Sequence, residues 1–244
     1  MRRKYAALAS RLDEGSDAVS TPRMAVRHGA LAVALVGALA GACTSIVPTT
    51  APATATPAAT TAPTPLELFT PTGKLPPGRY VYSGFAQPMT FELDGTWTTT
   101  TQSIGYFDLL PDPGPGLVQV GLIDGIETGS DSMAKPTSAV AAAAALRAYM
   151  GDNVVETREA TIGGRTGPEL ILKRPGEPGG VLSVWALLSI SLGTIGLSPG
   201  QQLSIVFFET PEGLIAIVTR GMLDNWQAAV DRAKPVIDSI AFGP

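Results

Sequence analysis

VVETREATIGGRTGPELILK, residues 154–173, decides the fold. Two strand-like segments, VVETREATI and RTGPELILK, flank Gly163-Gly164, a dipeptide suited to the positive φ angles of a two-residue hairpin turn. Such a turn joins antiparallel neighbours, so the stretch predicts a hairpin. Ahead of it, Thr137 or Ser138 is placed to cap a helix through SAVAAAAALRAYM. Its inner stripe is Ala139, Ala142, Ala143, Leu146, Tyr149 and Met150, and the small residues let the helix lie close to a sheet. Behind it, LSVWALLSISL puts Leu182, Val184, Ala186, Leu188, Ile190 and Leu192 on one parity and serines on the other. That alternation favours a long strand over a buried helix. LSIVFFET, a turn at PEG, and LIAIVTRG are apolar on both parities, the pattern of strands covered on both faces.

Nearer the start of this region, RYVYSGF and MTFELDG read as sequential antiparallel strands, the second turning Met89, Phe91 and Leu93 inward. GYFDLL and LVQVGLID follow, separated by the loop PDPGPG. A closing helix has Asp224 as its candidate cap and Trp226, Ala229, Val230, Ala233, Ile237 and Ile240 at helical spacing, with a kink expected at Pro235. The expected class is α+β, a mainly antiparallel twisted sheet of hairpins flanked by helices, forming one domain over residues 66–244. The final hairpin and closing helix, the 154–172 hairpin, and LPPGRYVY with FAQPMTFELDGTW together resemble PsbP-like extracytoplasmic bacterial domains of the LpqN-type lipoproteins. Those domains more often have Trp directly after Asp-Gly, where Thr96 intervenes here. The resemblance implies an α/β sandwich that binds or scaffolds without catalysing, and it supplies no catalytic motif to carry over.

The other informative stretch is ALAVALVGALAGAC, residues 30–43. Its uninterrupted apolar run covers 13 residues, whereas a membrane-spanning helix needs roughly 20. Arg23, Arg27 and His28 precede it, and Arg2, Arg3, Lys4 and Arg11 lie further back, giving a positive n-region before an apolar h-region. Leu39-Ala40-Gly41-Ala42-Cys43 resembles the lipobox of bacterial lipoproteins, with Ala40 where a Leu-like residue is usual and Leu39 one step earlier. The resemblance implies that residues 1–42 are a signal peptide, removed as Cys43 receives a diacylglycerol. Plain secretion with Cys43 as a spectator, or an uncleaved anchor, is the alternative. A start at Met24 leaves a 19-residue signal. Residues 44–65 are almost wholly Thr, Ala and Pro, with no charge and no apolar face, so 43–65 reads as a lipidated cysteine and disordered tether.

Downstream of Cys43, 11 Lys+Arg stand against 18 Asp+Glu, a balance of −7. No basic block points to nucleic acid. The chain has one histidine, His28, and one cysteine, Cys43, so the mature domain lacks both. Zinc sites with His or Cys ligands, Ser-His-Asp triads, cysteine nucleophiles, disulfides and His-ligated haem are thereby excluded. Three groupings remain as candidates. Asp124, Glu127, Ser130 and Asp131 in DGIETGSDS read as a solvated acidic loop, with Ca²⁺ as the alternative. Trp97, Tyr82, Tyr106 and Trp185 read as core, with an apolar-ligand pocket as the alternative. Asp108 and Asp112 read as turn residues, with a catalytic pair as the alternative.

The expected protein is a lipid-anchored module on the extracytoplasmic face of the cell membrane, with no catalytic residue, cofactor or metal. Its expected partners are the membrane, through lipid on Cys43, and a small apolar ligand or an envelope protein. The competing class is a carboxylate-dependent envelope hydrolase, which requires two carboxylates roughly 5 to 10 Å apart in a cleft. Replacing Cys43 with Ala is expected to release the domain or to leave unprocessed precursor; a Cys43→Ala protein processed and membrane-bound like the parent rules out lipidation.

Overall fold

The computed structural model describes residues 62–66, 73–129, 132–176, 185–190 and 193–243, with the side chain of Trp185 outside that set. All belong to the unit Pro57–Pro244. In chain order the first strands are β1 (Thr64–Pro65), β2 (Gly73–Leu75), β3 (Gly78–Tyr82), β4 (Met89–Leu93) and β5 (Trp97–Thr99). Next come β6 (Gln102–Ser103), β7 (Tyr106–Pro111), β8 (Leu117–Gly129), β9 (Ser132–Ala134) and helix α1 (Ala139–Met150). The chain continues through β10 (Val154–Ile162), β11 (Arg165–Arg174), β12 (Trp185–Ile190) and β13 (Gly193–Leu197). It ends with β14 (Gln201–Thr210), β15 (Gly213–Met222), α2 (Trp226–Asp238) and β16 (Ala241–Phe242). The class is α+β, with two helices and mostly antiparallel sheet among the described residues.

The large sheet has the order β10-β11-β14-β15-β8-β7-β5-β2, and a smaller one the order β1-β3-β4-β16. The 154–173 hairpin forms as expected: Gly163 and Gly164 take φ of 58° and 77°, and Ile162 stands opposite Arg165. The β14–β15 hairpin pairs through its whole length, Gln201 with Met222 to Thr210 with Gly213. Its side chains feed two cores. Val206, Phe208, Ile215 and Ile217 join Phe91, Trp97, Phe107 and the α2 residues Ala233 and Val236. Leu203, Ile205, Phe207, Ala216 and Val218, from the opposite face, join Ala142, Ala143 and Leu146 of α1 together with Leu187, Leu188 and Ile195. Double-sided apolarity is thus answered by a cover on each side.

Helix α1 starts where the sequence places it. Ser138 occupies the cap and accepts the Ala141 N–H at 3.1 Å. Ala139, Ala142, Ala143, Leu146 and Met150 are buried, and Tyr149 is half-buried at the edge of the stripe.

Other expectations need correction. Asn225, not Asp224, takes the cap of α2, and its side chain makes no capping hydrogen bond. Pro235 lies inside the helix, which continues to Asp238. β8 extends to Gly129, so DGIETG is strand and not loop. β12 is a strand, with a register shift between Ala186 and Leu188 that buries Leu187 as well as Leu188. β13, β2, β5, β6, β9 and β16 are too short or too polar to show periodicity.

The chain also enters the sheet ahead of the expected boundary at residue 66. Thr64 and Pro65 pair in parallel with Tyr80 and Val81. The Leu66 N–H donates to the Val81 carbonyl at 2.7 Å, and its side chain is buried against the first core. Residues 64 and 65 therefore belong to the folded body. Leu66→Ala is expected to lower unfolding free energy by about 2–4 kcal/mol; urea denaturation indistinguishable from the parent refutes that role.

Candidate functional site

Helix α2 is seated by two glycines. A Cβ on Gly221 would lie 2.7 Å from the Ala229 Cβ, and one on Gly116 would lie 3.1 Å from the same atom. No larger residue leaves room for that approach, so the helix is held over β15 and the start of β8. Among the described residues, no helix lies above the same face of β11 and β14 on the β10 side. What remains is a cleft of about 610 Å³ between α2 and the outer strands.

Its walls mix apolar and polar side chains: Ile171, Val206 and Ile217 beside Gln202 from the sheet, Trp226, Val230 and Ile237 beside Gln227, Lys234 and Asp238 from α2. Its floor carries a polar group of three. The Arg158 Nε donates to Glu169 Oε2 at 2.6 Å and its Nη2 to Oε1 at 3.3 Å, while the Ser204 hydroxyl donates to Oε1 at 2.5 Å. Hairpin register explains the first contact, because Arg158 stands directly opposite Glu169. Glu169 is only 6% exposed, and a buried carboxylate requires such partners. Arg158 reaches outward as well, donating to Glu156 at 3.0 Å. Thr219 is buried, lines the cleft, and makes no side-chain hydrogen bond among the described residues. Four carboxylates (Glu156, Glu159, Glu169, Asp238) and two cations (Arg158, Lys234) line the space, an acidic surplus. Glu169 is occupied by three donor contacts and Asp238 by Lys234 at 2.5 Å. This arrangement suits holding a ligand.

The residues singled out from the sequence lie elsewhere. Asp108 clasps a turn: it accepts the N–H groups of Thr100 and Thr101 at 2.7 and 3.0 Å and the Thr100 hydroxyl. Asp112 pairs with Lys74 at 2.8 Å. The two carboxylates have separate partners and neither lines the cleft. Asp124 and Glu127 lie on β8, while Ser130, Asp131 and Cys43 are outside the described residues. Trp97 is 1% exposed, with the Arg232 guanidinium 5.2 Å from its ring. Tyr82 packs tilted on Phe107 with centroids 4.6 Å apart, and its hydroxyl accepts the Tyr106 N–H at 2.9 Å. The Tyr106 hydroxyl accepts from the Gln119 amide at 2.6 Å on the other side of the sheet. Tyr82 and Tyr106 thus serve different cores.

Comparison with known proteins adds little to this geometry. No protein-family model matches the chain, and no curated protein matches it. Among solved structures the chain is similar to LpqN of Mycobacterium tuberculosis, described as involved in cell envelope biogenesis. Identity is 11%, the match covers 71% of this chain and 92% of the LpqN chain, and the TM-score is 0.26. At that score the match carries neither fold nor function to this chain.

Burial is the main cause that pushes both phenols, Tyr82 and Tyr106, up to about 12. An unfolded phenol ionises near 10, so the folded state holds its proton more tightly. The resulting stability is complete below about pH 10 and is lost as pH rises toward 12. Phenolate absorbance is expected to show these two tyrosines ionising only with unfolding. Ionisation of both near pH 10 in the folded protein would instead put them in a water-filled pocket.

Proposed function

We propose that this protein is a lipid-anchored binding module of the cell envelope, held on the extracytoplasmic face through Cys43 and acting without catalysis. The observation that carries the reading is the cleft beside α2, a concave space large enough for a small molecule that offers both apolar surface, from Ile171, Val206, Ile217, Trp226, Val230 and Ile237, and convergent polar groups. The acidic surplus favours a neutral or cationic ligand with an apolar body over a fatty acid or other anion. It also disfavours nucleic acid. The lipobox-like run at Leu39–Cys43 and the Thr/Ala/Pro segment after it support the anchor. The PsbP-like arrangement that the sequence resembles belongs to the same proposal. No described helix is long and apolar enough to cross a membrane.

A hydrolytic role would need a carboxylate free to take or give a proton. In the cleft, Glu169 is engaged by Arg158 and Ser204, Glu156 by Arg158 and Asp238 by Lys234, so Glu159 has no second free carboxylate beside it for a paired mechanism, and the polar groups support positioning a ligand. The neutral dye phenylnaphthylamine is the direct probe. Its fluorescence is expected to rise on mixing with the protein, and Ile171→Trp, which fills the cleft, is expected to weaken binding at least tenfold with the melting transition retained. Equal binding by the parent and a folded Ile171→Trp variant refutes the cleft as the site. Turnover of an ester, glycoside or peptide that disappears with Glu169→Gln favours the hydrolase.

A further inference from the structure

β10 ends the large sheet, and among the described residues only β11 pairs with it. The two-residue turn at Gly163-Gly164 makes Ile162 and Arg165 the flanking pair. In such a hairpin that pair exchanges both hydrogen bonds, and bonded pairs then alternate along the strands. Ala160, Arg158 and Glu156 therefore turn their backbone groups toward β11. Thr157, Glu159 and Thr161 turn theirs outward, leaving an open hydrogen-bonding edge. Proteins commonly blunt such an edge with Pro, with charged side chains, Lys above all, or with bulges. β10 contains neither Pro nor Lys, and its one register shift lies at its start, between Val154 and Glu156. Its three charges, Glu156, Arg158 and Glu159, are of both signs, so they repel a neighbouring strand in some registers and pair with it in others.

The geometry points to a second copy of this chain as the partner, adding its own β10 antiparallel to the first about a two-fold axis at Thr157. Charge order selects that register. An axis at Glu156, Arg158 or Glu159 sets a charge against itself. An axis at Val155 is centred on the register shift itself and one at Ala160 runs into the turn, whereas an axis at Thr157 keeps the three central residues, Glu156 to Arg158, clear of both. An axis at Thr157 sets Glu156 opposite Arg158 of the partner subunit, and Arg158 opposite Glu156 of the partner subunit.

Backbone and side chains agree on this choice. The two Thr157 residues form a hydrogen-bonded pair, as their outward groups require. The Glu156–Arg158 pairs then occupy non-hydrogen-bonded positions, where Cα atoms approach to about 4.5 Å and opposite charges stabilise pairing. Such an interface is isologous, the commonest way for identical chains to associate. Both clefts come onto one face of the joined sheet, and each Arg158, already bound to Glu169 and to Glu156 of its own chain, gains a third carboxylate at the cleft rim. The pairing does not rest on what the cleft binds. One strand pair makes a smaller interface than a standard protein complex, so the dissociation constant belongs in the micromolar range.

The test uses the full chain carrying Cys43→Ser, which leaves no thiol, in mild detergent. Sedimentation equilibrium from about 1 to about 300 µM is expected to show reversible dimerisation. Thr157→Pro removes an outward N–H, a loss edge strands tolerate, and is expected to give monomer with an unchanged melting transition. Glu156→Lys sets Lys against Arg158 of the partner subunit and is expected to raise the dissociation constant about tenfold. Thr157→Cys is expected to form a disulfide-linked dimer on oxidation, since paired Cα atoms about 5.5 Å apart allow the bond; Thr161→Cys is not. Monomer at every concentration overturns the proposal. So does a Glu156→Lys dimer as tight as the parent, or equal crosslinking at 157 and 161, and both outcomes decide the matter even if Thr157→Pro unfolds.

Discussion

The hairpin of β14 and β15 is apolar on both faces, and a strand pair of that kind is stable only when water is excluded from each side. Phe207 and Phe208 are adjacent, point in opposite directions, and are 0% and 1% exposed. Every other large element answers to that requirement. Helix α1 offers a stripe of alanines to one face, close enough for their small side chains to pack on Leu170, Leu172 and Ile205. The smaller sheet and α2 cover the other, bringing Tyr82, Met89, Phe91, Ala233 and Val236 onto Val206, Phe208 and Ile217.

The two covers are not equally complete, and the cleft is the difference. Helix α2 must sit where Gly116 and Gly221 admit Ala229, so its position is set by backbone contact and not by the width of the sheet beneath. The strip of β11 and β14 beyond its reach has polar residues at the positions that α2 fails to cover. Glu169, Ser204 and Gln202 share that strip with Ile171 and Val206. A carboxylate there is tolerable only because the hairpin register brings Arg158 across from it, the usual requirement for a charge withdrawn from water. Turn, register and ion pair form one causal chain.

That chain shows how far the sequence can be read. The turn at Gly163-Gly164, the α1 stripe and the two-sided hairpin are local patterns, and each is visible in a window of about twenty residues. The pairing of Arg158 with Glu169 was also within reach, because a two-residue turn places residues equidistant from it face to face. The lone Glu in PELILK was its signal. The cleft was not within reach: it depends on where α2 settles, which two glycines over a hundred positions apart determine. The same limit explains the acidic segment at 124–129, whose charges suggested a loop although its backbone continues β8 to pair with Ser132–Ala134. Aromatic residues gave the opposite lesson. Tyr82 and Tyr106 are close in space yet face different cores, a division that parity within separate strands does not reveal.

β1 deserves a mechanical reading. Thr64 and Pro65 lie parallel to β3, and Leu66 is plugged into the first core directly behind them. Tension arriving along the chain from residue 62 therefore pulls nearly along the strand axis. It loads the two paired residues together in shear, with Leu66 as the stop that must be drawn out of the core before β3 is disturbed. The grip is short, so this corner yields first under load while the β14–β15 hairpin, in the middle of the large sheet, stays shielded. A domain tugged from that side would shed a few residues of slack and keep its cleft intact.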